Sequence, residues 1–530
     1  MNIDTFLTHH GLQTNPFVAE EARHDPVFER MSGGAVEHPD FAKILGSIGE
    51  PAAAVVFGEK GSGKTALRLT IGRRVDQHNA AHPDAFTILV AYDDLNPVLD
   101  RIMQRKHRGQ AIGELSDRAV AAALQKVRLE DHQDAILSLA ITQLVDALVG
   151  DGHRREQAEL SDDAARTPFT RAVAKRLRRA SRHQRANMAV LAALYDQPRS
   201  GSVVRRFAAL RARLGLGRLS PRPWTALLGF ASAIVVGALS AAHYVMTAPP
   251  PWLIPAACLA GAAALLLWGR WLWRFGWLWR LTRRIRRQVV VVDRKSAQLR
   301  RLLSQLRQSD LAGQPWPLPG EQDSRYQLTA RLLTALGTAG CQGMMVLVDR
   351  VDEPTAVHGR PDRMQPVVWP MLDNKFLQQP GCGLKMLLPL ELRDILFKQS
   401  SSFFQQARLD KQSMIDRLEW SGVTLYDLCT HRLRACQSPP AHAAAAGASS
   451  AMKLTDLFEP DVGQQMLVEA LDHMRQPRDA FKFLYTLIQE HCRSVREDEA
   501  RFNIPRLLVD GIRRRHAQRV ADLTRGVSPT

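Results

Sequence analysis

The feature that most limits how this chain can fold is an apolar hairpin near its middle. Trp224 to Met246 is a run of 23 residues without a formal charge. As a helix it reaches roughly 34 Å, against a bilayer hydrocarbon core of about 30 Å. Thr247, Ala248 and three prolines follow, and a second uncharged run extends from Trp252 to Gly269. Arg270 closes it, placed so that its stem lies along apolar surface while its head reaches the headgroups. The pattern predicts two membrane spans within residues 223–275. Seven of the ten tryptophans fall between Trp224 and Trp279, near the span ends, where amphipathic rings favour the membrane interface. A buried Ala/Leu-rich hairpin of a soluble protein is the competing arrangement. It explains neither the tryptophans nor the charge on both flanks.

That charge is the second constraint. The 530 residues carry 71 Lys and Arg against 53 Asp and Glu, a surplus of 18. From Asp151 to Arg222 there are 17 basic and 6 acidic residues, and from Arg270 to Ser309 there are 12 and one. The rest of the chain is therefore close to neutral. The blocks bracket the hairpin instead of covering a folded domain with interleaved aromatics, as a nucleic-acid surface would require. Arg205, Arg206, Arg211, Arg213, Arg218 and Arg222 precede the first span, and Arg274, Arg280, Arg283, Arg284, Arg286 and Arg287 follow the second. By the positive-inside rule both flanks, and with them both termini, are expected in the cytoplasm. The N-terminus has no basic stretch leading into an apolar one, so no cleaved export signal is expected. The six cysteines have no CxxC spacing and read as reduced packing residues.

Ahead of the hairpin, residues 52–65 read AAAVVFGEKGSGKT. A short apolar strand runs into Gly58, Glu59, Lys60, Gly61, Ser62, Gly63, Lys64, Thr65 and Ala66, and helix-compatible sequence follows. Glycines let the backbone wrap closely around phosphates, successive N–H groups donate to the oxygens, and the helix start adds partial positive charge. Lys64 would neutralise the β- and γ-phosphates of a nucleotide, and Thr65 would give its hydroxyl to Mg2+. A chance glycine turn is the bland alternative. Average composition yields such a pattern about once in a hundred chains of this length.

A phosphate loop of this kind needs an acidic partner on a neighbouring strand. Behind the hairpin, Met344 to Val348 is an apolar run that delivers Asp349, the expected metal-side carboxylate, to the carboxyl end of a parallel strand. Glu353 is expected as general base, with Asp352 as a second metal-side or positioning group. A helix-capping acidic cluster is the alternative. A further strand, Leu384 to Leu390, ends near Arg393. Arg393 could sense the γ-phosphate or act in trans as an arginine finger, or simply pair with a local carboxylate. Gln476, Pro477, Arg478 and Asp479 open a C-terminal helix, from which Arg478 could reach the nucleotide or stay solvated. Phe86 to Tyr92 is expected as a second core strand and Leu129 to Val149 as a long helix.

The glycine loop, the LVDRVDE element, Arg478 in QPRD and the inserted two-span hairpin together resemble the KAP group of P-loop NTPases, related to the STAND and AAA+ ATPases. Asn15, Pro16 and Phe17 are similar to the NPF element ahead of the ATPase core in some bacterial AAA+ proteins. The chain departs from the usual KAP pattern of two adjacent acids followed by Leu-Asp-Arg. Its order, Asp349, Arg350, Val351, Asp352, Glu353, is closer to the STAND type. The resemblance implies an inner-membrane ATPase switch facing the cytosol, in bacteria sometimes linked to phage exclusion.

The expected fold is α/β, a parallel sheet flanked by helices. Residues 1–150 form the N-terminal segment and first part of the core, and 320–436 form the second part. Between them come basic helical stalks, 151–222 and 276–310, around the hairpin. After the low-complexity linker QSPPAHAAAAGASSA comes a helical lid, 452–530. The two catalytic pieces must lie on one side of the membrane, which only an even number of spans permits. The expected ligands are ATP and Mg2+, and the expected partners are bilayer lipid, further copies of the chain and an effector protein. Two alternatives stay open: a nucleotide-gated scaffold with negligible hydrolysis, and a membrane-tethered nucleic-acid binder.

Overall fold

A computed structural model describes residues 1–19, 21–31, 37–106, 115–149, 171–198, 201–217, 224–246, 249–321, 323–398, 408, 412–437, 452–496 and 501–524. The low-complexity linker, apart from Gln437, and residues 151–170, 199–200 and 218–222 of the first basic stretch, with Arg218 and Arg222, lie outside them. Five strands form one sheet: β1 (Ala54–Gly58), β2 (Phe86–Tyr92), β3 (Cys341–Val348), β4 (Cys382–Pro389) and β5 (Ser413–Ile415). Every pairing is parallel, and the order is β2-β3-β4-β1-β5. The Val/Leu/Met-rich runs are covered on both faces, as a parallel sheet between helical layers requires. One correction concerns the neighbour relation: β4 separates β1 from β3, so the glycine loop and Asp349 leave strands with one other strand between them.

The labelled helices, in chain order, are α1 (Lys64–Ala81), α2 (Leu129–Val149), α3 (Arg182–Tyr195), α4 (Val203–Arg213), α5 (Trp224–Val245), α6 (Leu253–Gln288), α7 (Ser324–Gly337), α8 (Leu390–Lys398), α9 (Gly422–Ala435) and α10 (Pro477–Ser494). Leu67, Ile71 and Val75 of α1 cover one sheet face with Phe41 and Ile44. Helices α2, α3, α4 and α7 contribute to the larger core on the other face. A separate core joins the N-terminal segment to α9 and α10. In it Phe17 is buried near Phe481, while Arg432 donates to Pro16 O at 2.9 and 2.7 Å and pairs with Asp25. The Asn15-Pro16-Phe17 element thus ties the chain's start to its C-terminal helices.

The two basic stretches do not stand out as stalks over their described lengths. Met188 to Tyr195, Phe207, Leu210, Val289, Val291, Leu299 and Leu302 all lie in the large core. Several arginines are structural as well. Arg206 pairs with Asp196 and Asp146, Arg274 donates to Leu306 O at 2.7 Å, and buried Arg294 donates to Ala193 O and Asp196 O. Burial pulls the Arg294 guanidinium down to about 10. The positive charge that made these segments read as stalks is partly spent on closing a core.

Helices α5 and α6 are long and apolar enough to cross a membrane. They pack as a hairpin, with Gly229 against the Trp268 ring. Most of their side chains, including Leu259, Leu265 and Leu266, are left uncovered by the rest of the protein. Helix α6 is one continuous rod of 36 residues, about 54 Å long. Hairpin and basic flank were expected to divide near residue 275, yet no break occurs there, because arginine and leucine are equally good helix formers. At its far end Leu278, Leu281 and Ile285 enter the large core, while Arg280, Arg283, Arg284, Arg286 and Arg287 stay exposed.

Candidate functional site at the carboxyl ends of the strands

The loop between β1 and α1 turns through left-handed backbone at Gly61 and Gly63, with φ of 105° and 94°. A side chain at Gly61 would also strike Gln476 and Arg478 at about 3 Å. Gly63 caps α1, so the first free N–H groups of a long helix face the loop. Lys64 begins that helix and bends back, donating to Gly58 O at 2.7 Å and Glu59 O at 2.8 Å. Burial pulls its ammonium below the usual lysine value, opposed by the carboxylates of Asp349, Asp352, Glu391 and Glu59. Thr65 lies in the first turn of α1.

Asp349 stands at the carboxyl end of β3 and is 2% exposed. Arg350 follows with φ of 56° and donates its backbone N–H to Asp349 Oδ1 at 2.9 Å. This strained turn costs about 1 kcal/mol or more for a non-glycine residue. It fixes the carboxylate in the crevice. The buried Oδ2 has no hydrogen-bond partner. Its nearest cation is Arg68 of α1, with Nε 3.5 Å away. Burial pushes the Asp349 carboxyl above the usual range, opposed first by Arg68 and also by Lys64. The two pieces of chain separated by the hairpin therefore share one crevice.

Asp352 is half-buried and its charge acts on Lys64, whereas Glu353 is exposed and lies 3.6 Å from Arg350. The turn after Asp349 aims Asp352 inward, and Glu353 faces solvent. Arg393 of α8 contacts Asp394 at 3.4 Å and lies over the Phe397 ring. Among the described residues it makes no contact with the glycine loop. Glu391, at the start of the same helix, is the residue whose charge reaches Lys64.

The C-terminal helices close one side of the crevice. The Arg478 N–H lies 3.5 Å from Gly61 O, and its Nε is buried without a hydrogen-bond partner. Gln476 and Arg417 both hold Glu59. The Trp420 indole N–H donates to Ser62 O at 2.9 Å, and its backbone N–H reaches Arg475 O at 3.4 Å. Ser62 Oγ is buried without a partner.

Arg68, Asp93, Arg417 and Trp420 were not singled out in the sequence, and Gln476 was named only as part of a helix start. For Asp93 a signal existed: it follows the apolar strand Phe86–Tyr92 as Asp349 follows β3. The others are ordinary polar residues until the fold brings them to the loop. Among the described residues, no group of three or more His, Cys, Asp or Glu side chains could hold a metal by itself. The donor set present, one hydroxyl and one carboxylate whose buried oxygen lacks a hydrogen bond, suits a hard cation that takes its remaining ligands from phosphate and water. Comparisons with models of protein families, with curated proteins and with solved structures found no match for this chain.

Proposed function

We propose that the chain is a membrane-anchored P-loop ATPase whose catalytic crevice faces the cytoplasm. The observation that carries this reading is the convergence of Lys64 and Asp349 on one crevice, with Asp349 Oδ2 buried and lacking a hydrogen bond. A buried carboxylate of that kind costs stability unless a ligand completes it. Lys64, which donates to its own loop's carbonyls, would exchange them for the β- and γ-phosphates of ATP. Backbone N–H groups of the loop and the start of α1 would bind the remaining phosphate oxygens.

Thr65 and Asp349 would hold Mg2+, which neutralises charge developing on the phosphates. Asp352 would accept the proton of the attacking water and orient it toward the γ-phosphorus. Arg478 would bring a planar cation to the phosphates from the C-terminal helices, which then serve as a lid. Arg393 would act in trans, in an assembly of several copies. The exposed arginines of α6 support a cytoplasmic position for the flank after the second span, and each would add about 1 kcal/mol of attraction to anionic lipid. Because α6 runs unbroken from bilayer to core, a change in the crevice can tilt the span.

The test is nucleotide binding and phosphate release by the detergent-purified protein. Lys64→Ala should abolish both while leaving the fold intact. Full turnover by that variant would overturn the assignment. A nucleotide-gated scaffold is the second reading, favoured by the outward position of Glu353. Tight ATP binding with no turnover would select it.

A further inference from the structure

Helix α1 brings a second residue to the crevice one turn after Lys64. Arg68 is 4% exposed, with Nη1 2.5 Å from Asp93 Oδ2 and Nε 3.5 Å from Asp349 Oδ2. The two carboxylates it bridges are placed together by the sheet. β2 and β3 are parallel neighbours, with Tyr92 in register with Val348. Asp93 and Asp349 are the next residues on these adjacent strands, whose spacing is about 4.8 Å. Two like charges so placed repel. The Arg68 guanidinium lies between them as a buried counter-charge. Its bond to Asp93 is short and direct, whereas the contact with Asp349 is long and leaves Oδ2 without a hydrogen bond.

We propose that Arg68 is a positioning residue that holds Asp349 for a divalent cation and yields it when the cation arrives, retaining Asp93 as its own counter-ion. The inference rests on the reading of Asp349 as the metal-side carboxylate. Arg68 and the metal compete for one oxygen, and Asp93 sets how strongly Arg68 competes. Removing Arg68 should strengthen metal binding. Removing the Asp93 charge should weaken it, because Arg68 then interacts more strongly with Asp349. A role in packing alone gives no opposite signs.

Two measurements on the full-length protein in detergent decide the matter. One is the Mg2+ concentration for half-maximal binding of a fluorescent non-hydrolysable ATP analogue. Arg68→Met should lower it and Asp93→Asn should raise it, each by about tenfold, within the usual range of couplings between sites. Arg68→Lys keeps the charge without the planar fork and should fall between wild type and Arg68→Met. It also serves if the methionine variant does not fold. The other measurement is Mn2+ binding without nucleotide, read by electron paramagnetic resonance. Arg68→Met or, failing that, Arg68→Lys should gain a site that wild type and Asp93→Asn lack. Shifts of the same sign in the first measurement, or no gain of Mn2+ in the second, overturn the proposal. If wild type binds no nucleotide at all, the ATPase reading falls, and the Mn2+ result still decides the role of Arg68.

Discussion

Two clusters of buried charge lie near β2, and they are finished differently. In the layer against the sheet, Asp134 of α2 accepts from Tyr195 Oη at 2.8 Å and from Arg325 Nε and Nη2 at 3.2 Å each. His132 spends both ring nitrogens, on Tyr92 Oη at 2.9 Å and Val367 O at 2.9 Å. At the carboxyl ends of the strands, Asp349 Oδ2, Ser62 Oγ and Arg478 Nε are buried without hydrogen bonds. A closed network fixes one packing, and an open one holds capacity for a ligand. Asp134 and His132 thus have their hydrogen-bonding capacity met, whereas the group at the strand ends keeps unmet capacity of the kind the proposed ligand would use.

The largest effect expected of this contrast is on turnover. Asp352→Asn should lower phosphate release by about 10² to 10³, in the range of a lost general base. Glu353→Gln should change it less than about threefold, since that side chain faces solvent. The reverse order would return the catalytic role to Glu353 and show that the turn at Arg350 rearranges on binding.

Stability should discriminate next. Asp134→Ala leaves the Arg325 guanidinium buried without its bidentate partner and should cost about 3 to 5 kcal/mol in urea unfolding. Asp349→Asn should be neutral or raise stability, because burial already opposes its charge. Equal losses at both positions would erase the distinction between closed and open clusters.

Legibility in the sequence divided along the same line. Strands β1 to β4 and the glycine loop were readable because their signals are local: an apolar run buried on both faces, a run of glycines, a helix start; the three-residue β5 was not expected, because so short a run carries no such signal. Helix α2 emerged with the expected bounds, Leu129–Val149. The position of β4 between β1 and β3 was not readable, since strand order depends on crossovers and not on composition. Nor was the fate of Arg206 and Arg294. An arginine bound for a core carbonyl looks the same in sequence as one bound for a headgroup. Asp352 and Glu353 were separable only once the φ of Arg350 was known, because adjacent residues on a tight turn point in different directions.

A smaller effect concerns pH. Burial lowers the His132 pKa to about 4, with Tyr92, Val367 O and Asp131 as neighbours, and raises that of Asp134 to about 6 despite Arg325 and Tyr195. As pH falls below 6.5 the unfolded chain protonates its histidine and the folded chain does not, so this stability is lost down to about pH 4. Asp134 acts oppositely: its contribution is complete below the unfolded value of 3.8 and is lost as pH rises through about 6. Each amounts to about 3 kcal/mol over its window, so the two nearly cancel. Relative to wild type, His132→Gln should lose stability as pH rises from 4 to 6. Asp134→Asn should lose it as pH falls from 6.5 to 4. Urea midpoints at half-unit pH steps check both, and parallel curves for the two variants would contradict the opposed burial of the pair.

The smallest effect tests how the C-terminal helices meet the loop. Trp420 packs near Gly63 and spends its indole N–H on Ser62 O, so Trp420→Phe keeps an aromatic ring and removes one hydrogen bond worth about 1 kcal/mol. If that bond holds the lid in the nucleotide-free state, its loss should change nucleotide affinity by less than about fivefold, since Arg417 and Gln476 still hold Glu59. The fluorescence difference between wild type and variant isolates Trp420 from the other nine tryptophans. A nucleotide-dependent change confined to that difference would show that the lid moves on binding. Its absence, with affinity unchanged, would mean that the loop fills without disturbing the contact, and the crevice would be open only on the Asp349 side.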